Sequence, residues 1–518
     1  MSAYAMQDDV FKKLAAGDSD EKIAAISQLV AMGHPSALPV LEALKNAELN
    51  VTDAGALVII NAEGAFNALN HAPIQPAPEN VEAVTLNNRV REALDVALAT
   101  LDLTSSDRDK RMAAANELLH KAVPSFLPVI HKALLGEQDK EIKAVLGLTE
   151  ASIQLKDADV NVRLKAIGIL AESDQSSTNT LLLPLLEKNA GGQYIEPDAR
   201  IVAAAKGAMS KINNRLANME YLGRVFSGIS LGSILLLAAL GLAITYGLMG
   251  VINMAHGELL MIGAYATYLV QTLFRQYFPG SIDIYLLVAV PASFLIAGMV
   301  GMLLERTVIR HLYGRPLETL LATWGISLLL IQTVRSIFGA QNVEVANPGW
   351  MSGGFQMASN LVLPYNRIVI IGFALFVLLL VWVLLNKTRL GLFVRAVTQN
   401  RKMADCLGVP TRSIDMWTFG LGSGIAGLGG CALSQIGNVG PDLGQSYIVD
   451  SFMVVVLGGV GQLAGTVVAG LGLGVVNKIL EPFAGAVLAK IFILVFIIMF
   501  IQKRPQGLFA LKGRSVES

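Results

Sequence analysis

The stretch VFSGISLGSILLLAALGLAITYGLMGVINMAHG, Val225 to Gly257, contains no Asp, Glu, Lys or Arg. It exceeds the roughly 20 apolar residues that a helix needs to cross a bilayer, so it decides how the surrounding chain is read. Toward the C-terminus further charge-free runs follow: Leu259 to Phe274, Ile284 to Leu304, Thr319 to Val334, Ile368 to Asn386, Met416 to Pro441 and Ser451 to Asn477. A last run, Pro482 to Gln502, is broken only by Lys490. Continuous runs predict an all-α, polytopic membrane domain over 216–518 with about eight helical segments, some of them broken or re-entrant. A β-barrel would instead alternate polar and apolar residues over segments of about ten.

Toward the N-terminus the character changes. Residues 1–215 are charge-mixed and rich in Ala, Leu, Glu and Lys, with no run long enough to cross a bilayer. A gap-free internal match lies at an offset of 89: Ile23, Ile26, Leu29, Val30, Pro35, Leu38, Pro39 and Val40 return as Met112, Ala115, Leu118, Leu119, Pro124, Leu127, Pro128 and Val129. A third copy runs from Leu164, Ile167 and Leu170 to Leu183, Pro184 and Leu185. Each copy reads as a helix stripe, a proline-marked turn and a second helix. Half the offset lies close to the roughly 40 to 47 residue period of HEAT-type helical pairs, which predicts a short α-solenoid. The proline-containing stretch from about Asn70 to Asn88 reads as a loop interrupting the stack. Asp18 with Glu21, and Ser106 with Asp109, read as helix caps. Ala3-Tyr4-Ala5 looks like the end of a signal peptide, which places Met1 inside a longer precursor. The solenoid is either a protein-docking surface or a passive spacer.

Over 518 residues, 53% apolar and 15% charged with zero net charge, the composition excludes an ordinary soluble enzyme and offers no basic surface for nucleic acid. Cys406 and Cys431 both fall in the hydrophobic part, so no disulfide framework holds the N-terminal part. No phosphate-binding G-x-x-x-x-G-K-[ST] loop, H-E-x-x-H pair or paired-cysteine spacing occurs. A transport subunit without cofactor or metal, and without its own means of hydrolysing ATP, is expected.

Short-loop Lys and Arg mark the cytoplasmic side. Arg306, Arg310 and Arg315 mark one such loop, and Lys387, Arg389, Arg395, Arg401, Lys402 and Arg412 another. The segments Gly339 to Asn366 and Asn438 to Asp450 have acids and no Lys or Arg, so they face outward, as does the N-terminal domain. The tail with Lys503, Arg504, Lys512 and Arg514 belongs inside, yet simple parity puts it outside. One segment must be re-entrant or doubled. Ser451 to Asn477, interrupted by Gly458, Gly459, Gly461 and Gly465, is the candidate.

Two sets of residues could carry function. Asn253, His256 and Glu258 sit among glycines and methionines in an apolar region, where polar groups face a cavity, a partner helix or a pathway, unless the stretch is simply a turn in water. Arg395 to Val409, RAVTQNRKMADCLGV, places Val394, Val397, Ala404 and Leu407 on one helical stripe opposite basic residues, with Gly408 and Pro410 as a stop. Such a helix suits the groove of a soluble partner or the surface of lipid head groups. Gly420, Gly424, Gly427 and Gly430 indicate close helix packing.

From about Arg224 onward the sequence resembles the permease subunits of the branched-chain amino-acid class of bacterial ABC importers. The resemblance rests on YGLMGVINMAHGELLMIGAY (Tyr246 to Tyr265), on Glu305-Arg306 and Arg315-Pro316-Leu317, and on RAVTQNRKMADCLGV. VVVLGGVGQLAGTVVAG (Val454 to Gly470) and RPQGLF (Arg504 to Phe509) complete it. Within that family RPLETLLATWGISLLL (Arg315 to Leu330), SIFGAQNVEVANPGW (Ser336 to Trp350) and the extra N-terminal domain look like the urea permease subunit. The resemblance implies an inner-membrane heterodimer with a second permease, two cytoplasmic ATPase subunits and a periplasmic solute-binding protein. It also implies that Arg395, Ala396, Arg401, Ala404, Asp405, Leu407 and Gly408 form the coupling helix seated on an ATPase. Urea is neutral and doubly polar, so its path is expected to offer amides and carbonyls rather than fixed charge. Asn253, His256, Glu258, Thr323, Gln332, Gly458 and Gly459 are the candidates. A branched-chain amino-acid or short-amide importer and a passive urea channel are the alternatives, and a channel has no use for the loop helix.

Overall fold

The computed structural model describes residues 10–509 except 16, 33–35, 53–54, 63, 77, 79, 122–123 and 359. Ala3-Tyr4-Ala5, Pro35, Lys512 and Arg514 lie outside the described residues. The chain divides into two compact units, Met1–Leu216 and Ala217–Ser518.

The first unit is mostly helical: α1 (Ser19–Met32), α2 (Ala37–Lys45), α3 (Asn88–Asp102), α4 (Arg108–Lys121), α5 (Leu127–Gly136), α6 (Lys140–Gln154), α7 (Val160–Leu170) and α8 (Ser177–Leu182). Helices α1 and α4 are displaced by 89 at both ends, Ser19 to Arg108 and Met32 to Lys121, so the internal match has a structural counterpart. Ile26, Leu29 and Leu41 share one core with Leu118 and Ile130. Asp18 and Glu21 exchange reciprocal hydrogen bonds, each backbone N–H donating to the other's carboxylate, at 3.2 and 2.9 Å. A cap of this kind is worth roughly 1 kcal/mol. The second cap differs from expectation: α4 begins at Arg108, so Asp107 takes the capping position and accepts from the Asp109 N–H at 2.9 Å. Ser106 falls one residue too early to reach it.

The chain is mostly helical, as expected, with one addition: the loop expected at Asn70–Asn88 contributes a short strand to a small sheet whose other three strands precede it. β1 (Leu49–Thr52), β2 (Leu57–Asn61), β3 (Gly64–Asn67) and β4 (Val81–Ala83) form an antiparallel sheet in the order β3-β2-β1-β4. LNVT and LVIIN are β-branched and apolar, and Leu49, Leu57 and Ile59 turn into the helical core. The stretch containing Pro73, Pro76 and Pro78 spans the gap before β4 pairs with β1, Asn50 opposite Ala83.

Helices α4 and α6 are tied by charge. Arg108 bridges Asp139 (2.8 Å) and Glu141 (2.5 Å), and Arg111 holds Glu137 at 2.9 Å. The Arg108 guanidinium and the Ile142 N–H hold the Asp139 carboxyl below its ordinary range. Burial pushes Glu137 up, but the Asp139 N–H and Arg111 outweigh it and leave that carboxyl lowered too. Both folded-state values are depressed, so the stabilisation is present above the ordinary carboxylate value of about 4 and is lost as pH falls through the depressed values. Amide hydrogen exchange of the full-length protein should therefore show α6 opening as pH falls below about 4, while Asp139→Asn flattens that dependence at the cost of a weaker N-terminal turn. Identical pH profiles for the two proteins would contradict this account.

The second unit contains the C-terminal part of α9 (Ala199–Met249), then α10 (His256–Tyr277), α11 (Tyr285–Thr307), α12 (Pro316–Phe338), α13 (Tyr365–Lys387), α14 (Arg389–Gln399), α15 (Arg401–Cys406), α16 (Thr411–Ser434), α17 (Leu443–Gly458) and α18 (Leu463–Lys503). A hairpin of β5 (Gly354–Ala358) and β6 (Leu361–Pro364) precedes α13. Among the described residues six helices are long and apolar enough to cross a membrane. Counting α10, α17 and the two limbs of α18 separately gives nine apolar limbs, against the eight expected.

The doubled segment is where the glycines put it. Ser451 to Asn477 breaks after α17 at Gly459 and Gly461, whose φ of +101° and +82° favour glycine, and the chain returns antiparallel as α18. Gly458 and Gly465 meet so closely that a Cβ on Gly458 would lie 2.5 Å from the Gly465 carbonyl carbon. α18 itself breaks at Gly485 (φ +79°, ψ 161°). Its second limb runs back, bringing Lys490 to Asp450 at 2.8 Å and the Leu508 N–H to the Leu457 carbonyl at 2.8 Å. With α17 and both limbs of α18 counted separately, the apolar limbs number nine, the odd count that the Lys and Arg pattern calls for.

Helix α16 is the buried centre of the bundle, and its glycine stripe lets neighbours approach to backbone distance. Gly424 faces the Phe294 ring and Gly427 the Ser293 carbonyl on α11, while Gly430 faces the Leu260 carbonyl on α10.

Candidate functional site

Helix α9 ends at Met249, and Gly250, with φ +67°, turns the chain away from the helical path. The connecting residues then start α10 inside the bundle. The Asn253 side-chain oxygen accepts from the Ala255 N–H at 3.0 Å, and His256 Nε2 lies 2.9 Å from the Ala238 carbonyl. Because that carbonyl can only accept, Nε2 is the protonated nitrogen and Nδ1 is left with a lone pair. Two residues on, Glu258 Oε1 accepts from the Ser327 hydroxyl at 2.6 Å. Its other oxygen points at Gly444 on α17, where a Cβ would be 2.1 Å away.

Helix α12 supplies the opposite wall. Its buried stripe is Thr319, Thr323, Ser327, Ile331 and Val334, one face of the helix, with most of the remainder exposed. Thr323 Oγ accepts from the Met254 N–H at 3.1 Å and donates to the Thr319 carbonyl at 2.8 Å. The structure thus brings the Asn253–Met254 stretch and Glu258 against Thr323 and Ser327 where the start of α10 meets α12, while His256, also buried, turns to α9 at Ala238 and Gly241. Ser327 lies one helical turn beyond Thr323, a spacing that would have disclosed it. Among the described residues Asn253 Nδ2, His256 Nδ1 and Glu258 Oε2 have no hydrogen-bond partner. Buried polar groups without partners are rare and costly, so three within six residues set this stretch apart from the apolar bundle around it.

The remaining candidate positions lie elsewhere. Gln332 follows Ile331 immediately, so it turns to the outer side of α12 and is exposed, away from the cluster. Gly458 and Gly459 form the junction after α17, packed against Gly465 and the Phe509 carbonyl, and contribute no polar group to the cluster.

The loop between α13 and α16 also differs from the single amphipathic helix expected. Asn400 is extended (φ −153°, ψ 98°) and caps the next helix by accepting from the Met403 N–H at 3.0 Å, so the loop folds as α14 and α15 at an angle rather than one stripe. Val394 and Ala404 are buried, Ala396 is half-buried, and Leu407 is 77% exposed, immediately before Gly408 with φ +82°. Arg395 donates to the Leu385 carbonyl at 3.1 Å, and Asp405 accepts from the Thr411 hydroxyl at 3.2 Å. Arg401 pairs with Asp415, which is buried on α16.

A bundle of apolar helices with interrupted segments and a buried polar cluster at the interruption is the architecture of a membrane transport protein. Comparison with known proteins agrees. Residues 224–501 match the family described as the branched-chain amino acid transport system permease component. The chain belongs to that family. It is 29% identical over 295 residues to the high-affinity branched-chain amino acid transport system permease protein BraD of Pseudomonas aeruginosa, covering 56% of this chain and 95% of the relative. It is 28% identical over 297 residues to LivH of Escherichia coli, covering 56% and 96%. A shorter similarity, 32% over 135 residues, links it to the ribose import permease protein RbsC of Bacillus subtilis, covering 24% and 41%. The matches to BraD and LivH leave the first unit without a counterpart in those relatives.

Proposed function

We propose that this chain is the permease subunit of an ATP-driven importer in a bacterial inner membrane and that its solute is urea. The observation that carries the reading is the buried cluster of Asn253, His256, Glu258, Thr323 and Ser327, which lies inside the region matching the permease family. An amide, an imidazole and two hydroxyls suit a small neutral solute with donors and acceptors on both ends, and the spare Glu258 oxygen adds an acceptor beyond the amides and carbonyls expected for urea. The work of transport falls to separate partners: a second permease, two cytoplasmic ATPases seated on the α14–α15 loop, and a periplasmic binding protein docking on the segments near Gly339–Asn366 and Asn438–Asp450. The distribution of loop Lys and Arg puts the first unit, read as a HEAT-like stack carrying a small sheet, on the periplasmic side. Protease added to spheroplasts should therefore remove it.

A second reading has its own support. BraD and LivH are named for branched-chain amino acids, and the spare Glu258 oxygen could receive an ammonium group. Uptake of [14C]urea and [3H]leucine in a strain lacking this chain, and again after restoring it, separates them. The account predicts that urea uptake falls to background and returns on complementation while leucine uptake is unchanged. The reverse pattern would replace urea by branched-chain amino acids.

A further inference from the structure

Where the α14–α15 loop meets the bundle, four charged side chains and a tyrosine close into one set. Glu305, on the last turn of α11, is fully buried; the Tyr313 hydroxyl donates to its Oε1 at 3.3 Å and Arg310 lies 3.5 Å from its Oε2. Asp415, on the second turn of α16, is buried and paired with Arg401, the first residue of α15. The same Arg401 guanidinium lies over the Tyr313 ring, 4.9 Å from its centroid. Burial, with the Asp415 and Glu305 carboxylates nearby, pushes the Tyr313 hydroxyl well above its ordinary value, so it stays a donor. Two carboxylates and two guanidiniums leave the set neutral, and losing either guanidinium leaves a buried carboxylate without its partner charge.

The set joins three elements. Through Arg401, helix α15 is held to α16 by an ion pair and, by way of Tyr313 and Glu305, to α11. Helices α11 and α16 pack closely where Gly301 meets the Ser423 side chain and Gly427 meets the Ser293 carbonyl, and α16 touches α10 at Gly430. Close-packed elements shift as units rather than deform, so a displacement of α15 is delivered to both helices and onward to the one bearing Glu258. We propose that Arg401 is a positioning residue, the joint through which movement of the α14–α15 loop is converted into movement of α11 and α16. This rests on the reading of that loop as the ATPase-coupling segment.

The test uses the complete importer in proteoliposomes, recording ATP hydrolysis together with accumulation of [14C]urea and [3H]leucine offered in parallel. Arg401→Glu and Asp415→Arg should each lower the solute moved per ATP about tenfold while hydrolysis continues. The double variant, which restores the pair with reversed sign, should recover most of that loss. Tyr313→Phe should give a smaller loss, and Arg401→Lys should stay near wild type. An unchanged ratio in Arg401→Glu would overturn the proposal. So would hydrolysis and uptake falling in equal proportion in every variant, or a double variant no better than its worse parent. Leu407→Asp separates the two levels. If it still retains the ATPase subunits, the coupling-loop reading fails; if it loses them while Arg401→Glu transports normally, only the joint fails.

Discussion

Gly430→Val is expected to remove the folded permease from the membrane and with it all uptake. A Cβ at this position would stand 1.8 Å from the Leu260 carbonyl oxygen and 2.9 Å from the Ala264 nitrogen, both backbone atoms of α10. A flexible side chain could yield; a helix backbone cannot. Helices α10 and α16 must part, and the same seam contains Gly263, whose Cβ would lie 2.1 Å from the Gly427 carbonyl oxygen. Overpacking a core by a few methyl groups costs about 1–3 kcal/mol where side chains can adjust, and the cost rises when the obstacle is main chain. The separated helix is also the one that begins with His256 and Glu258, so local relief would displace the buried cluster. Membrane-fraction immunoblots and heat-induced aggregation in detergent measure this, with Gly472→Val as the control, since nothing lies within 4 Å of a Cβ there. Wild-type levels and uptake for Gly430→Val would contradict the packing account.

Leu407→Asp is expected to leave the chain inserted and folded but unable to retain its ATPase. Leu407 is 77% exposed at the end of α15, while Ala404, three residues earlier, is only 3% exposed and occupied within the chain's own packing. A charge at Ala404 would therefore test folding, whereas a charge at Leu407 tests only what covers it. Placing a carboxylate where an apolar anchor seats in a partner's groove should cost about 2 kcal/mol or more, some 30-fold in affinity. Co-purification of the ATPase subunits and ATP-dependent uptake should both be lost. Retention of both would mean that this surface touches lipid head groups or water.

Much of the membrane unit could be read in advance because lipid imposes a simple rule on sequence. A charge-free run of sufficient length has no alternative to a helix, and the glycines at Gly459 and Gly461 announced the break between α17 and α18. The reversal at Gly485 was legible to within a few residues, because Lys478, Glu481 and Pro482 separate the run ending at Asn477 from the one that follows. The sheet of β1–β4 was hidden because short apolar runs such as LVIIN suit either state, and the helical repeat on both sides favoured the wrong one. At the polar cluster, Asn253, His256 and Glu258 stood out by chemistry alone. Gln332 did not belong because residue type says nothing about which side of α12 it occupies, while the spacing of Thr319, Thr323 and Ser327 does. The Arg401–Tyr313–Glu305 contact joins residues far apart in sequence, and no local pattern encodes it.

The central claim is that this chain is a conduit driven by a separate ATPase, and reconstitution tests it most directly. The purified chain should be placed in vesicles alone, and then together with the partner permease, the ATPases and the solute-binding protein, with [14C]urea entry measured with and without ATP. The account predicts negligible entry for the chain alone and ATP-dependent accumulation only for the full assembly. Rapid downhill entry through the chain alone, indifferent to ATP and to the other subunits, would identify a passive channel and contradict it.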